Sequence, residues 1–482
     1  MAERKYVLQK YVVRISGLHE SGARSSRRTI LENTPASLTE ISRGYGTIES
    51  QDEIHLLPLT VSPAPSALEA QPMLQEHHTA SDQSTRLKLA RDVCSASGSS
   101  IPGDVEAVFV YEAEKVAYCS THKVASTYWV RLFRWLYNDT GRGHVPSPLN
   151  ISKLDTHLTP LRRLRVRDVF RDADDRALVE SSYRFLFTRE PFARLWSVYV
   201  DKFLLPDDSF WEVYSPRIKQ VAFGGPETRT PETWHKTIGR IHPDLPGSTK
   251  NETDPFLLNE KISKTRKKLP RAPTKGCYDV PFPEFLQYII YVAKEQSGKA
   301  MDDHFRPVHY GCNPCLFRPD FIGKIETMKQ DSLHVLRRMR LDDALIDTLS
   351  TSHVQHEISM LIEFNFELVV KRRRQRECVT NGDLERRLIK AFIINGYIPE
   401  DSETLLAKRL PLGQETLEQV VLKLYSDSNR TSSEIRQQRE RMKSDAYAGI
   451  SLDVLRSLQR IFYWDFRLFG YDPQPPEIFG SG

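Results

Sequence analysis

The sequence predicts an α/β fold, in which a parallel sheet is flanked by helices and followed by a largely helical C-terminal part. Short apolar runs such as VFVY (108–111), VAYC (116–119) and FIGKIE (321–326) have the length of buried strands. They alternate with amphipathic or apolar stretches of helical length, an order typical of parallel sheets. With 482 residues, 39% of them hydrophobic, the chain can form a substantial core.

The folded domain is predicted for residues 85–475, with polar insertions near 206–275 and 370–445 and a short tail at 476–482. Residues 1–84 carry scattered Ser, Pro, Glu and Gln without sustained periodicity. We interpret them as a disordered arm or stalk, because such composition does not bury enough apolar surface to fold. A short helix is expected at 87–93, and the loop SASGSSIPGD follows it.

Two strand–loop–helix units stand out in this domain. The strand 116–119 runs through STHKVAST (120–127) into YWVRLFRWLYN (128–138), which is apolar nearly all round, as a buried helix would be. The strand 184–188 runs through Arg189 and Glu190 into a helix that begins at Pro191, a residue favoured at the first helical position. One face of that helix is apolar and consists of Phe192, Leu195, Trp196, Tyr199 and Phe203.

Each loop places a cation at the start of a helix. Lys123 lies in the first loop, with Ser126 or Thr127 in position to cap the helix, and Arg189 lies in the second, with Ser197 two turns into the helix. A helix N-terminus presents unpaired N–H groups and the positive end of the dipole, so each corner could hold a phosphate-like group. Two corners at strand ends predict a ligand with two separated anionic groups.

A purely structural interpretation exists for each corner. Lys123 could be an exposed loop residue beside an ordinary cap, and Arg189 could pair with Glu190 or Asp201. The net charge of +5 is mild, and the basic clusters at 162–167, 264–271 and 371–376 are either solvated surface or anion-binding segments.

The cysteines and sequons favour a secretory protein. Cys312-x-x-Cys315 could be half of a zinc site, but no second pair follows at matching spacing, so disulfides are favoured. Four sequons begin at Asn138, Asn150, Asn251 and Asn429. No stretch has the length of a membrane span, and the N-terminus has no signal-peptide core. Either the protein is cytosolic, or an N-terminal anchor precedes this sequence.

Several motifs occur in the order seen in Golgi carbohydrate sulfotransferases, and the sequence resembles the branch that includes chondroitin and dermatan 4-O-sulfotransferases and the HNK-1 sulfotransferase. The resemblance runs from about residue 87 to 472. The motifs that carry it are KVASTYW (123–129), REPFARLWSVY (189–199), DHFRP (303–307), CNPC (312–315), FIGKIE (321–326) and DFRLFGY (465–471).

The resemblance implies a P-loop-like fold that binds 3′-phosphoadenosine-5′-phosphosulfate (PAPS) without a metal. It assigns Arg189 and Ser197 to the 3′-phosphate, and the phosphosulfate loop to Lys123, Val124, Ala125, Ser126 and Thr127. The sequence departs from the family at His122, where relatives usually have Pro, and at Ala125, where many have Gly.

For the chemistry, the resemblance implies an in-line sulfuryl transfer in which Lys123 neutralises charge on the leaving phosphate. His304 is the first candidate for the general base, and His157 and Glu190 are rivals. The DHFRP segment could instead be structural, with Arg306 paired to a carboxylate.

The resemblance also implies a type II Golgi protein whose acceptor is a glycan, with an anionic glycosaminoglycan as the favoured class and no nucleic-acid partner. A P-loop kinase or NTPase is disfavoured because STHKVAST contains no glycine. A cytosolic sulfotransferase of phenols or steroids and an inactive glycan-binding relative are the remaining alternatives.

Overall fold

Five strands form one sheet in the order β3-β1-β2-β4-β5. The computed structural model describes residues 71–97, 100–139, 144–158, 165–167, 172–222, 279–296, 301–371 and 378–480. The strands are β1 (Ala107–Tyr111), β2 (Val116–Cys119), β3 (Arg165–Arg167), β4 (Tyr183–Thr188) and β5 (Phe321–Lys324).

The sheet is mixed, and the predicted α/β class is confirmed. Strands β2, β4 and β5 run parallel to one another, whereas β1 pairs antiparallel with both β2 and β3. Only the short turn Glu112–Glu114 with Lys115 separates β1 from β2. Such a short connection permits only antiparallel pairing, because a parallel crossover needs a dozen or more residues.

Helices flank the sheet and make up most of the C-terminal part, as predicted. Those before β5 are α1 (Gln71–Ser97), α2 (Ser126–Leu136), α3 (Lys153–Leu158), α4 (Ala173–Glu180), α5 (Pro191–Tyr199), α6 (Asp208–Val213), α7 (Ser215–Ala222), α8 (Phe282–Gln296) and α9 (Pro314–Phe317). Those after it are α10 (Met328–Arg338), α11 (Asp343–Thr351), α12 (His353–Lys371), α13 (Asn381–Ile394), α14 (Ser402–Ala407), α15 (Gln414–Asp427), α16 (Ser432–Tyr447), α17 (Leu452–Ile461), α18 (Tyr463–Phe469) and α19 (Pro476–Phe479).

The two faces of the sheet carry different side chains because successive strand residues point to opposite sides. Aromatic residues, among them Phe109, Tyr118, Phe185 and Phe187, pack against α2 and α10. Smaller residues on the other face, among them Val108, Ala117, Leu186 and Ile322, pack against α1 and α18. Tyr118 and Phe185, register partners on β2 and β4, stack with ring centroids 5.0 Å apart.

The adjacency of β2 and β4 positions the two predicted corners. Cys119 is in register with Leu186 in this parallel pair, so both strands end at the same edge of the sheet. The loop at 120–125 and the loop at 189–190 therefore emerge side by side, and α2 and α5 begin there.

The structure differs from the sequence prediction at several boundaries. Helix α1 begins at Gln71, so residues 71–84 of the predicted arm are helical. The predicted insertion at 370–445 contains α13–α16, which contribute to a buried apolar cluster with α12. The rest of the arm, most of the 206–275 insertion, residues 162–164, 264–271 and 372–376, and Asn251 lie outside the described residues. None of the described helices combines the length and the apolar composition that a membrane span requires.

Candidate active site

The loop after β2 turns sharply into α2. Lys123 and Ala125 both adopt left-handed backbone conformations, with φ of 66° and 63°. Ala125 is the N-cap of α2 and makes no side-chain capping bond, and Ser126 is the first helical residue. The prediction that Ser126 or Thr127 caps the helix is therefore wrong. Because no side chain caps it, the helix start can offer its N–H groups to an anion.

Lys123 belongs to a cluster of three lysines around one carboxylate. The Asp201 carboxylate lies 2.9 Å from Lys123 Nζ, 2.8 Å from Lys153 Nζ and 3.4 Å from Lys202 Nζ. Lys202 Nζ also contacts Asp207 Oδ2 at 2.8 Å. Three ammonium groups thus face two carboxylates, which leaves the cluster with an excess of positive charge beside the loop.

Burial and neighbouring charges shift the pKa values of both Lys123 and Asp201. Burial lowers the pKa of Lys123 to about 8, against the opposing effect of Asp201. Burial would raise the pKa of Asp201, but the lysine charges, that of Lys123 first, hold this pKa well below its usual range. Asp201 stays ionised at neutral pH, whereas the proton of Lys123 is comparatively easy to remove.

The corner after β4 differs from the first in its helix start. Glu190 is the N-cap of α5, and its carboxylate oxygens accept hydrogen bonds from Phe192 N at 2.9 Å and Ala193 N at 2.6 Å. These N–H groups already have an acceptor, so the expectation that the start of α5 is free to bind a phosphate is wrong. Of the groups predicted to contact an anion at this corner, the side chains of Arg189 and Ser197 remain.

Arg189 is half-buried among charges of both signs. Burial and the nearby Arg439 lower the pKa of Arg189 to about 10, although Glu326 and Glu190 oppose this shift. Burial also raises the pKa of Glu190 to about 7. Glu326 accepts a hydrogen bond from Glu190 N at 3.0 Å, and this bond connects the corner to the segment that follows β5. The alternative pairing of Arg189 with Asp201 does not occur, since Asp201 binds the lysines.

A third segment, residues 302–306, lies against the first loop. The ring of His304 stacks on that of His122 with centroids 4.1 Å apart. Arg194 of α5, only 1% exposed, donates to the carbonyl oxygens of His122 at 3.0 Å, Asp303 at 3.1 Å and Arg306 at 2.6 Å. One buried guanidinium therefore holds the Lys123 loop and the His304 segment together.

The rival bases have other contacts. His157 is exposed, and its Nε2 lies 3.0 Å from Thr127 Oγ1. Glu190 uses its carboxylate to cap α5. Arg306 pairs with Glu106 and Asp303, as the structural interpretation of DHFRP expected. His304 takes no part in that pairing, since its ring contacts Asp302 and His122.

Disulfides reinforce this arrangement. Cys119, the last residue of β2, is bonded to Cys312, and Cys94 of α1 is bonded to Cys315. The disulfide interpretation of CNPC is confirmed, and the half-zinc-site alternative is wrong. Among the residues that the structure describes, no group of three or more His, Cys, Asp or Glu side chains could hold a metal ion.

The model of the sulfotransferase family matches residues 106–391, a span that contains both loops and the His304 segment. The chain belongs to the sulfotransferase family. The resemblance to carbohydrate sulfotransferases, predicted from the order of the motifs, is also confirmed by individual relatives.

Three relatives show the extent of the similarity. Carbohydrate sulfotransferase 11 of Rattus norvegicus is 27% identical over 237 residues, which are 49% of this chain and 53% of the relative. Carbohydrate sulfotransferase 12 of Mus musculus is 26% identical over 283 residues, 55% of this chain and 58% of the relative. Carbohydrate sulfotransferase 8 of Mus musculus is 26% identical over 321 residues, 64% of this chain and 60% of the relative. The match thus spans between half and three fifths of these relatives, and no solved structure matches this chain.

The structure brings the loops that carry the predicted residues to one edge of the sheet. Lys123 to Thr127 form the first corner. Arg189 lies in the loop of the second corner, and Ser197 lies on α5, which follows that loop. His304 contacts the first corner by stacking on His122. Sequence reasoning missed Lys153, Lys202, Arg194, Asp302 and Tyr214. Of these, only Arg194 could have been identified from the sequence, because it is a charged residue within an otherwise apolar helical stretch.

Proposed function

We propose that this sulfotransferase transfers the sulfuryl group of PAPS to a sugar hydroxyl by in-line displacement. The observation that supports this most directly is the pairing of β2 with β4. It sets the Lys123 loop and the Arg189 loop side by side at the carboxyl ends of parallel strands, where α/β proteins bind ligands. A donor with a 5′-phosphosulfate and a 3′-phosphate fits two cationic corners.

The first corner suits the phosphosulfate. The left-handed backbone at Lys123 and Ala125 wraps the loop around the uncapped start of α2. Val124 is fully buried in the core, so it contributes through its backbone, whereas Ser126 and Thr127 add hydroxyls at the helix start. Lys123 supplies the charge that stabilises the leaving phosphate oxygen.

The second corner suits the 3′-phosphate. Arg189 offers a planar fork of N–H donors, and Ser197 adds a hydroxyl from the second turn of α5. The carboxylate of Glu190 lies in the same corner, and its raised pKa reduces the negative charge it presents near neutral pH.

His304 is our choice for the general base. Its Nε2 takes the proton of the acceptor hydroxyl while the hydroxyl oxygen bonds to sulfur and the bond between sulfur and the bridging phosphate oxygen breaks. Sulfuryl transfer then depends on positioning and charge stabilisation, as phosphoryl transfer does. His304 is favoured over His157 and Glu190 because its Nδ1 is held by a carboxylate and its ring faces the Lys123 loop.

A glycan acceptor in the Golgi lumen is the favoured context. Disulfides persist in oxidising compartments, and the described sequon residues Asn138, Asn150 and Asn429 are all exposed. We infer that the acceptor is an anionic glycosaminoglycan, from the basic clusters at 162–167, 264–271 and 371–376.

Two measurements test this function. Calorimetry with 3′,5′-ADP in EDTA should show binding, and absence of binding at high micromolar ligand would refute the donor assignment. PAPS-dependent turnover of chondroitin, but not of a small phenol, is expected. Turnover of the phenol alone would favour the small-molecule alternative, and binding without turnover of either would favour an inactive glycan-binding relative.

A further inference from the structure

Three polar side chains from two distant segments form a hydrogen-bonded chain that ends at His304. Tyr214, between α6 and α7, donates its hydroxyl to Asp302 Oδ2 at 2.8 Å. Asp302 Oδ1 lies 2.8 Å from His304 Nδ1 and accepts a second bond from the backbone N of His304 at 2.9 Å. Both oxygens of the Asp302 carboxylate are therefore engaged.

This chain determines which ring nitrogen is available. Since a carboxylate only accepts hydrogen bonds, Nδ1 of His304 carries the proton in the neutral ring, and Nε2 is left with its lone pair. The ring itself is held between His122, stacked at 4.1 Å, and Phe210, edge-on at 5.0 Å. The side chain of His304 remains 22% exposed. A histidine held in one tautomer and one orientation, yet open to solvent, is suited to accept a proton.

We propose that Asp302 and Tyr214 are positioning residues. Asp302 holds His304 in the Nδ1–H tautomer and stabilises its imidazolium form, and Tyr214 holds the Asp302 carboxylate in place and moderates its charge. This proposal rests on the proposed function, because it deepens the role of His304 as general base. Burial would raise the pKa of Asp302, but the charge and hydrogen bonds of His304, with Tyr214, lower it below its ordinary value. Asp302 is therefore an anion whenever His304 becomes protonated.

A second histidine–carboxylate pair provides a matched control. His309 Nδ1 lies 2.7 Å from Asp465 Oδ1, and Asp465 also accepts from the backbone N of Val308 and of His309. The local geometry resembles that of His304 and Asp302, but the side chain of His309 is only 2% exposed. His309 cannot reach a substrate, so its carboxylate serves the fold.

The titratable groups that influence His304, among the residues that the structure describes, determine the expected shifts. Asp302 lies on its own segment, His122 on the loop after β2, His157 on α3, and Tyr214 acts through Asp302. Asp302→Asn removes the carboxylate charge, which should lower the pKa of the His304 imidazole. Tyr214→Phe removes a donor from the carboxylate and leaves more of its charge to His304, which should raise that pKa. The two substitutions therefore act in opposite directions.

The experiment combines kinetics with spectroscopy on the full chain. For turnover of chondroitin, the acidic limb of kcat/KM should move to lower pH in Asp302→Asn and to higher pH in Tyr214→Phe. Because general-base catalysis contributes roughly 10²–10⁴-fold, we expect kcat to fall about 10²-fold in Asp302→Asn, with the PAPS KM unchanged. In a His304→Ala background, Asp302→Asn should have no further effect on kcat. Asp465→Asn should lower the melting temperature and leave the acidic limb in place.

A measurement independent of turnover separates this proposal from the proposed function. In histidine-¹⁵N NMR, the resonance lost in His304→Ala should show the Nδ1–H tautomer and the same two opposite pKa shifts. If the wild type transfers no sulfate but these shifts occur, the proposed function fails and the positioning role stands. If neither variant moves the His304 resonance or the acidic limb, or if both move them in the same direction, the positioning role is refuted.

Discussion

Lys123 Nζ lies 2.9 Å from Asp201 Oδ2, so the lysine of the first corner contacts a carboxylate of its own chain. An anionic donor group that binds Lys123 must compete with Asp201 for it. We therefore expect Asp201→Asn to tighten binding of 3′,5′-ADP while lowering the melting temperature of the free protein, since three lysines lose a counter-ion. Calorimetry and thermal unfolding measure the two effects.

Asp207→Asn is the control for this change. Asp207 contacts Lys202 but is not paired with Lys123, so its neutralisation should alter stability with little effect on affinity. Weaker binding of 3′,5′-ADP to Asp201→Asn would show that the carboxylate positions Lys123 for the ligand instead of competing with it.

The second corner is tested by Arg189→Ala and Ser197→Ala. Loss of a charge-assisted hydrogen bond costs about 1.5–3 kcal/mol of binding free energy, against roughly 1 kcal/mol for a neutral one. The PAPS KM should therefore rise in both variants and rise more for Arg189→Ala. Arg184→Ala is a suitable control, because Arg184 lies near the other end of β4 and pairs with Asp320. An unchanged KM in Arg189→Ala would mean that this corner does not bind the donor.

Donor affinity should depend on pH through Lys123. Because its pKa is lowered to about 8, the ammonium loses its proton as the pH rises through that value. The Kd for 3′,5′-ADP should then increase above pH 8, as the positive charge opposite the ligand disappears. In Lys123→Arg the guanidinium stays charged, so the dependence should vanish. Equal pH profiles for the two proteins would assign the effect to another group.

The same shift affects stability with a defined sign. A lysine with a lowered pKa binds fewer protons in the folded state than in the unfolded state between about pH 8 and its ordinary value of 10.5. The contribution of Lys123 to the free energy of unfolding therefore rises with pH across this window. Comparison of urea unfolding of the wild type and Lys123→Arg at pH 7.5 and 10 checks this contribution.

The Cys119–Cys312 disulfide joins the end of β2 to the segment that follows His304. Replacing both cysteines by serine should lower the free energy of unfolding by roughly 2–5 kcal/mol. We also expect a lower kcat, since the Lys123 loop and the His304 segment lose a covalent link. The Cys94–Cys315 disulfide joins α1 to α9 and does not link the two site segments. Replacing both of these cysteines should therefore reduce stability without a comparable loss of kcat. A kcat equal to the wild-type value in the first variant would show that the non-covalent contacts, those of Arg194 and the stacking of His122 on His304, suffice to hold the two segments.

The anionic acceptor is tested by salt. The charges of the basic clusters at 162–167, 264–271 and 371–376 are screened by salt, with a Debye length of about 8 Å at physiological ionic strength, so the KM for chondroitin should rise steeply with salt. The kcat should change little, because such clusters bind substrate and transition state alike. Changing Arg372, Arg373 and Arg374 to Gln together should mimic high salt and leave the PAPS KM intact. An acceptor KM insensitive to both treatments would favour a neutral glycan.

The sequence by itself determined the local units of the site. Strands β2 and β4, the start of α5 at Pro191 and the identities of Lys123, Arg189 and His304 all follow from patterns within a few residues. Periodicity, a proline at the first helical position and the motif order depend only on chain neighbours. For the same reason the helical C-terminal part could be predicted.

Only the tertiary structure decided which charges meet. Tyr214 and Asp302 are 88 residues apart, and Arg194 reaches the carbonyl oxygens of His122 and Arg306, which lie 72 and 112 residues away. No spacing rule predicts such pairs, because they depend on the path of the chain between parallel strands. The cap of α2 at Ala125 and the pairing of Lys123 with Asp201 are of the same kind. Both features result from competition among polar and charged groups that only the folded chain brings into contact and buries.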